Sequence, residues 1–183
     1  MNWYEKLTSY FPDEEMKTKD HMDILFTEQP GYKKDESDNH LLIYLEKADF
    51  LFIDYIIITG KKRGAGIGSS LIRTLKQKEK PIILEVDPPD PSDPDTINRI
   101  RFYNRHDFSH ARSIDYRRRH PITNKPNIMD VLCWSPSDVS DQWIYTKMGL
   151  IYEQVHAYRA EEIYGVPVQR TYEVLSFNYA GVR

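Results

Sequence analysis

Three alternating glycines, Gly64, Gly66 and Gly68, stand in the stretch Lys61-Lys62-Arg63-Gly64-Ala65-Gly66-Ile67-Gly68-Ser69-Ser70. An apolar run (residues 50–59) precedes it and a helical pattern (residues 69–80) follows. Backbone without Cβ atoms can turn sharply from strand to helix. Such a turn aims unpaired amide groups at one spot, where the helix dipole adds positive potential. That chemistry binds an anion the size of phosphate, and Lys61, Lys62 and Arg63 supply charge for a pyrophosphate. An ordinary glycine kink in a solvated basic turn is the competing reading. Elsewhere the residues do less. His106 and His110 straddle a turn with no acidic partner spaced to complete a site, so no metal is expected. No Ser–His or Cys–His nucleophile is legible. Cys133, the sole cysteine, reads as a buried strand residue and excludes an internal disulfide.

The elements that must hold this loop follow from periodicity. Residues 2–10 and 12–28 read as helices, the second opening on Pro12 with Asp13, Glu14 and Glu15 as first-turn acids. Residues 29–39 read as a polar loop, 40–46 as a strand, and 50–59 as a strand buried on both faces through Ile56, Ile57 and Ile58. The helix after the glycines carries Ile67, Leu71, Ile72 and Leu75 at helical spacing and stops at Pro81. A short strand, 82–86, comes next, then a proline-rich connection, 87–94. A helix over 96–105, strands over 109–116 and 128–134 around a basic loop, a helix from 137 to about 164 ended by Gly165, and a strand over 171–177 complete the chain. With alternation, Asp54 shares a face with Phe52 and Ile56, and Glu85 with Ile83 and Asp87. Ile144, Ile151 and Val155 of the long last helix, with Trp143, read either as core or as a homodimer surface.

The whole chain sets bounds. Its 183 residues suit one domain, 1–183, with 137–183 a C-terminal helical and strand extension. No apolar stretch approaches the ~18 residues of a membrane span, and the N-terminus lacks a signal-peptide layout. A cytoplasmic protein is the expectation, with no membrane partner. A net charge of −3 gives no electrostatic case for nucleic acid.

Three kinds of phosphate loop compete. A Walker A loop needs a lysine after its last glycine, which is missing. A Rossmann fingerprint needs Gly-x-Gly-x-x-Gly, and the glycines here fall one residue short, although Glu85 ends the next strand as a ribose-binding acid would. The third pattern, Arg-x-x-Gly-x-Gly, is matched by Arg63, Gly66 and Gly68. It resembles the acetyl-CoA loop of the GNAT superfamily of N-acetyltransferases. The resemblance extends to Tyr103 and Phe108, which look like that family's Tyr-x-x-x-Gly-Phe helix ending, and to Asp115-Tyr116, Pro121 and residues 129–132 further on. It covers residues 40–135 well and the two ends poorly. Asp107 replaces the usual glycine and Arg99 the small residue common before the tyrosine. A positive φ at Asp107 would be strained, though aspartate tolerates it better than most.

The resemblance implies an α/β GNAT fold: a mixed central sheet splayed between two parallel strands, with helices on both faces. It implies acetyl-CoA as co-substrate, with Ile56, Ile57 and Ile58 along the pantetheine and Arg63, Gly64, Ala65, Gly66, Ile67, Gly68 and Ser69 around the pyrophosphate. Tyr103 would lie near the CoA sulfur as general acid, or merely hydrogen-bond it or pack. Glu85, ahead of Asp54, is the candidate base, a structural salt bridge or hydrogen bond being the alternative for each. Asn98 would touch the cofactor or cap its helix. The loop containing Arg117, Arg118, Arg119 and His120 borders the acceptor site in this fold, or is a solvated hairpin tip. The expected activity is acetyl transfer to a primary amine of a small molecule or peptide, by direct attack. A non-catalytic acyl-CoA-binding module and a dinucleotide-binding protein are the rivals.

Overall fold

The computed structural model describes residues 2–59 and 66–179. Lys61, Lys62, Arg63, Gly64 and Ala65 lie outside the described residues. The chain begins with α1 (Trp3–Thr8), a 3-10 turn (Asp13–Glu15) and α2 (Lys19–Glu28), then β1 (Tyr32–Glu36), β2 (His40–Glu46) and β3 (Leu51–Ile58). Next come α3 (Ile67–Lys76), β4 (Ile82–Val86), α4 (Pro94–Asn104), β5 (Ser109–His110), β6 (Ile114–Arg119) and β7 (Pro126–Trp134). The C-terminal part holds α5 (Asp141–Ile151), a π-helical turn (Tyr152–His156), α6 (Ala160–Tyr164), α7 (Thr171–Val174) and β8 (Leu175–Phe177).

The strands form one mixed sheet in the order β1-β2-β3-β4-β7-β6-β8, with β5 also on β7. β3 and β4 are its one parallel pair among the described residues, and they pair only at Leu51–Ile82, Phe52–Ile83 and Ile53–Leu84. Beyond Ile53 each strand follows its other neighbour: β3 stays with β2 as far as Ile58–His40, and β4 with β7 as far as Val86–Asp130. The two strands therefore part, which is the splay. One apolar layer, from Leu7, Met22, Leu25, Ile144, Met148 and Ile151, covers one face of the sheet. A second layer, holding Ile72, Leu75 and Tyr103, covers the other. Helices pack on both faces, and the last long helix is core.

A bulge in β3 decides what faces the splay. Ile43 of β2 pairs with Tyr55 and Tyr44 with Ile53, so Asp54 is the extra residue. An inserted residue reverses the alternation beyond it. Phe52, Tyr55 and Ile57 all enter the first layer, whereas Ile56 packs with Ile53 in the second. Simple alternation placed Asp54 with Phe52 and Ile56; the bulge separates Ile56 from them.

Several element boundaries differ from expectation. Residues 32–36, expected as loop, form edge strand β1; only Tyr32 of its five residues is buried, so no alternation marks it. Charge on an edge strand discourages pairing with another chain. The helix expected over 12–28 is split, because the backbone is extended at Met16 and Thr18 caps α2. The helix expected from 137 starts after its cap, Ser140, and breaks at Arg159, whose φ is 50°. Residues 171–177 are half helix and half strand. Arg118 and His120 are not at a solvated hairpin tip: the Arg118 side chain is 13% exposed and His120 5%.

Candidate active site

The parted strands open a cleft of about 550 Å³. Ile56 and Ile58 form its β3 wall, Gly66, Ile67, Gly68 and Ser69 its far end, and Asn98, Arg99, Phe102 and Tyr103 of α4 the opposite side. Ile57 projects the other way, into the first apolar layer, leaving only its backbone at the gap. The far end is the start of α3. Gly66 caps that helix with φ 78° and no side-chain hydrogen bond, and a Cβ there would meet nothing within 4 Å. The positive φ favours glycine. Gly68 serves packing, since a Cβ would lie 3.2 Å from the Phe102 ring. Ser69 Oγ bonds His106 Nε2 at 2.9 Å, tying the helix start to the end of α4.

α4 presents Tyr103 because Asp93 caps its N-terminus, with Pro94 at the first turn. Asn98 lies inside the helix and caps nothing. Tyr103 is 4% exposed, and burial pushes its phenol up to about 12, against the pull of Arg99. Asp107 turns the chain back toward Phe108 at φ 59°, so the condition for strain at that position is met.

Behind the first cleft lies a hollow of about 50 Å³ lined by Phe11, Glu15, Asp54, Glu85, Arg118 and Asn127, among others. Arg99 borders both spaces and bonds Asp87 at 2.7 Å. The two carboxylates singled out by sequence meet here, but each is held by cations or donors. Lys17 Nζ reaches both oxygens of Asp54 at 2.8 and 2.9 Å, and Tyr32 donates its hydroxyl to the same group. Glu85 accepts from His156 Nε2 at 2.9 Å and Arg118 Nη2 at 3.4 Å. Burial acts to raise the Glu85 carboxyl, but His156 and Arg118 together outweigh it and hold the group well below the usual carboxylate range. His156 itself is kept neutral: burial, then Arg118, pushes it down to about 4. At neutral pH it therefore acts on Glu85 as a neutral hydrogen-bond donor beside the charged guanidinium, and its own charge joins in only in acid. Lys17, Asp54, Arg118 and Glu85 form a buried quartet with no net charge.

Most of these partners gave no signal in sequence. Lys17 is one of many lysines, and only the extended backbone at Met16 carries it inward. His156 is set by a π-helical turn, closed by the Ala157 amide on the Tyr152 carbonyl. Glu15 read as a first-turn acid, and nothing in Asp13-Glu14-Glu15 indicates which carboxylate turns inward. Among the described residues there is no group of three or more His, Cys, Asp or Glu arranged to hold a metal.

No family model matches the chain. It is 49% identical over 176 residues, 96% of this chain and 92% of the relative, to the Bacillus subtilis (strain 168) protein named "Putative acetyltransferase YjbC". A solved structure titled "Putative acetyltransferase from GNAT family", from Bacteroides thetaiotaomicron, shares the fold with TM-score 0.61 and 21% identity over 90% of each chain. The parted parallel strands and the glycine-capped α3 agree with the GNAT fold of that structure, and the relative spanning nearly the whole sequence shows the family: this chain belongs to the acetyltransferases.

Proposed function

We propose that the protein is an acetyl-CoA-dependent N-acetyltransferase that acetylates a primary amine of a small molecule or peptide by direct attack, without a covalent enzyme intermediate. The observation that carries this reading is the cleft at the parted strands, with a glycine-capped helix start at one end and Tyr103 on its wall. The groups present fit the co-substrate. From Asp54 to Ile58, β3 has no strand partner on its β4 side among the described residues, so its backbone can pair with an extended amide-bearing chain. Ile56 and Ile58 offer apolar contact beside it. The α3 start would hold the pyrophosphate, and Arg63, Gly64 and Ala65, which precede it in the sequence, are proposed to bind the same anion.

When bound, acetyl-CoA supplies an activated thioester. The protein's part is to orient it and manage protons. Tyr103 stays protonated at neutral pH and donates to the departing sulfur. A phenol near 12 is a reluctant acid toward a thiolate whose conjugate acid lies near ~8.5. Tyr103 therefore acts first as a hydrogen-bond donor, yielding its proton only as negative charge gathers on sulfur.

The test is thiol release from acetyl-CoA in the presence of a panel of primary amines. At least one amine should be acetylated, and Tyr103→Phe should lower kcat by roughly 10²-fold, the low end of acid–base contributions. Tight acetyl-CoA binding with no transfer to any amine would favour a binding module instead.

A further inference from the structure

Among the described residues, Glu15 is the carboxylate of the inner hollow with no direct side-chain partner. It has no hydrogen bond or ion pair from its side chain to another described residue, whereas Asp54 has Lys17 and Tyr32 and Glu85 has His156 and Arg118. The charges around it are otherwise matched. Lys17 and Arg118 balance Asp54 and Glu85, and Arg99 balances Asp87 across 2.7 Å. Glu15 is left as one unmatched negative charge in a partly enclosed space. Such a group is costly to keep unless something positive comes to it.

The position of Glu15 is fixed by its backbone. Its carbonyl accepts the Tyr55 hydroxyl at 2.9 Å, and its amide donates to the Pro12 carbonyl at 3.0 Å. The Lys17 amide donates to the same Tyr55 oxygen at 3.2 Å, clamping the 3-10 turn onto β3 beside the bulge. This segment borders both spaces: Tyr10 lines the cleft, and Phe11 and Glu15 line the hollow. A second observation points to a ligand in the same place. Asn127 and Arg118 both line the hollow, and Asn127 Nδ2 and Arg118 Nε are buried donors with no hydrogen-bond partner among the described residues; Asn127 is 8% exposed. Unpaired buried donors call for an acceptor oxygen.

We propose that Glu15 receives the acceptor's ammonium and takes its proton, while Asn127 Nδ2 and Arg118 Nε bind an oxygen carried next to that amine. The inference rests on the N-acetyltransferase reading. The acceptor class is a slender primary amine with a neighbouring carbonyl oxygen, as at the amino end of an amino amide or peptide. A hollow of about 50 Å³ holds little more than that head group. The protons balance. Glu15 removes one proton from the ammonium and returns it to solvent, and the freed nitrogen bonds the acetyl carbon as the carbon–sulfur bond breaks. The nitrogen sheds its second proton and sulfur gains one, giving amide, thiol and one released proton. The electrostatics suit this role. Burial, then Asp87, with Glu14 adding to them, push the Glu15 carboxyl up to about 7 against Arg99 and Arg118. Asp54 and Glu85 face the hollow as well. A base serves best when its pKa lies near the working pH.

The experiment uses the full chain labelled with carboxyl-13C glutamate, with glycinamide as probe. The resonance lost in Glu15→Gln should titrate near neutral pH, and excess glycinamide should move its midpoint down by about one unit, which sodium chloride at equal ionic strength should not do. A midpoint in the ordinary glutamate range, or none of this response to glycinamide, overturns the proposal. For any amine the protein acetylates, Glu15→Gln should lower kcat/KM about 10²-fold at pH 7 and erase the acidic limb of its pH profile, with acetyl-CoA affinity unchanged. Glu15→Asp should restore part of the rate. An unchanged rate in Glu15→Gln sinks Glu15 alone, whereas a wild-type protein that does not bind acetyl-CoA sinks the N-acetyltransferase reading.

Discussion

Replacing Glu85 by glutamine separates its two readings, base and structural counter-charge. The Glu85 side chain is 7% exposed and accepts from His156 and Arg118, whose own side chains are 3% and 13% exposed. Glutamine still offers one oxygen to His156 but no charge to the guanidinium, and the buried Arg118 Nε already lacks a partner. The quartet then holds two cations and one anion away from water. Breaking a buried pair from one side costs roughly 3–5 kcal/mol, because the survivor is stranded. At about 2–4 °C per kcal/mol for a chain of this size, Tm should fall on the order of 10 °C. The double variant Glu85→Gln/Arg118→Met removes the stranded charge as well and should recover most of the loss. Thermal unfolding followed by circular dichroism at pH 7 reads all three proteins. A Glu85→Gln variant that melts with the wild type yet loses acetyl transfer would refute the reasoning and return Glu85 to the role of base.

Two further outcomes are expected from the same measurement. Asp107 sits at φ 59° with its side chain 83% exposed, and its surface contact to Lys76 spans 3.3 Å. Glycine relieves the backbone strain, so Asp107→Gly should gain about 1 kcal/mol and 2–4 °C; a lowered Tm would mean that the Lys76 contact outweighs the strain. Acid should also weaken the fold. His21 and His156 are pushed down to about 3 and about 4, chiefly by burial, so below the unfolded value near ~6.5 the unfolded chain binds more protons than the folded one. Glu15 opposes this: with its carboxyl near 7, the fold holds the extra proton as pH falls from there toward ~4.5. Two histidines against one carboxyl leave about one proton, or ~1.4 kcal/mol lost per pH unit between roughly 6.5 and 4.5. A flat profile across that window would contradict the neutral buried histidines.

The cleft was legible from sequence because its parts are local. An apolar strand, alternating glycines and an amphipathic helix each carry their own period, and Tyr103 lies on a helix whose register is plain. The inner hollow was not, because it depends on interruptions of period. One extra residue at Asp54 reverses the faces beyond it. A stretch of extended backbone at Met16 inserts Lys17, and a π-helical turn aims His156 at Glu85. Strand β1, with a single buried side chain, carries no alternation to read. Arg118 looks in sequence like its neighbour Arg117. Strand register alone sends one to Glu85 and leaves the other on the surface with Asp115.

Calorimetric titration with acetyl-CoA tests the central claim most directly, beside CoA and NADH, on the wild type and on Gly66→Glu. That variant puts a side chain where φ is 78° and a carboxylate at the start of α3. The account predicts that the wild type binds acetyl-CoA and CoA but not NADH, and that Gly66→Glu, still folded by circular dichroism, binds none of them. A wild type that ignores acetyl-CoA, or a Gly66→Glu protein that binds it as well as the wild type does, would contradict the account.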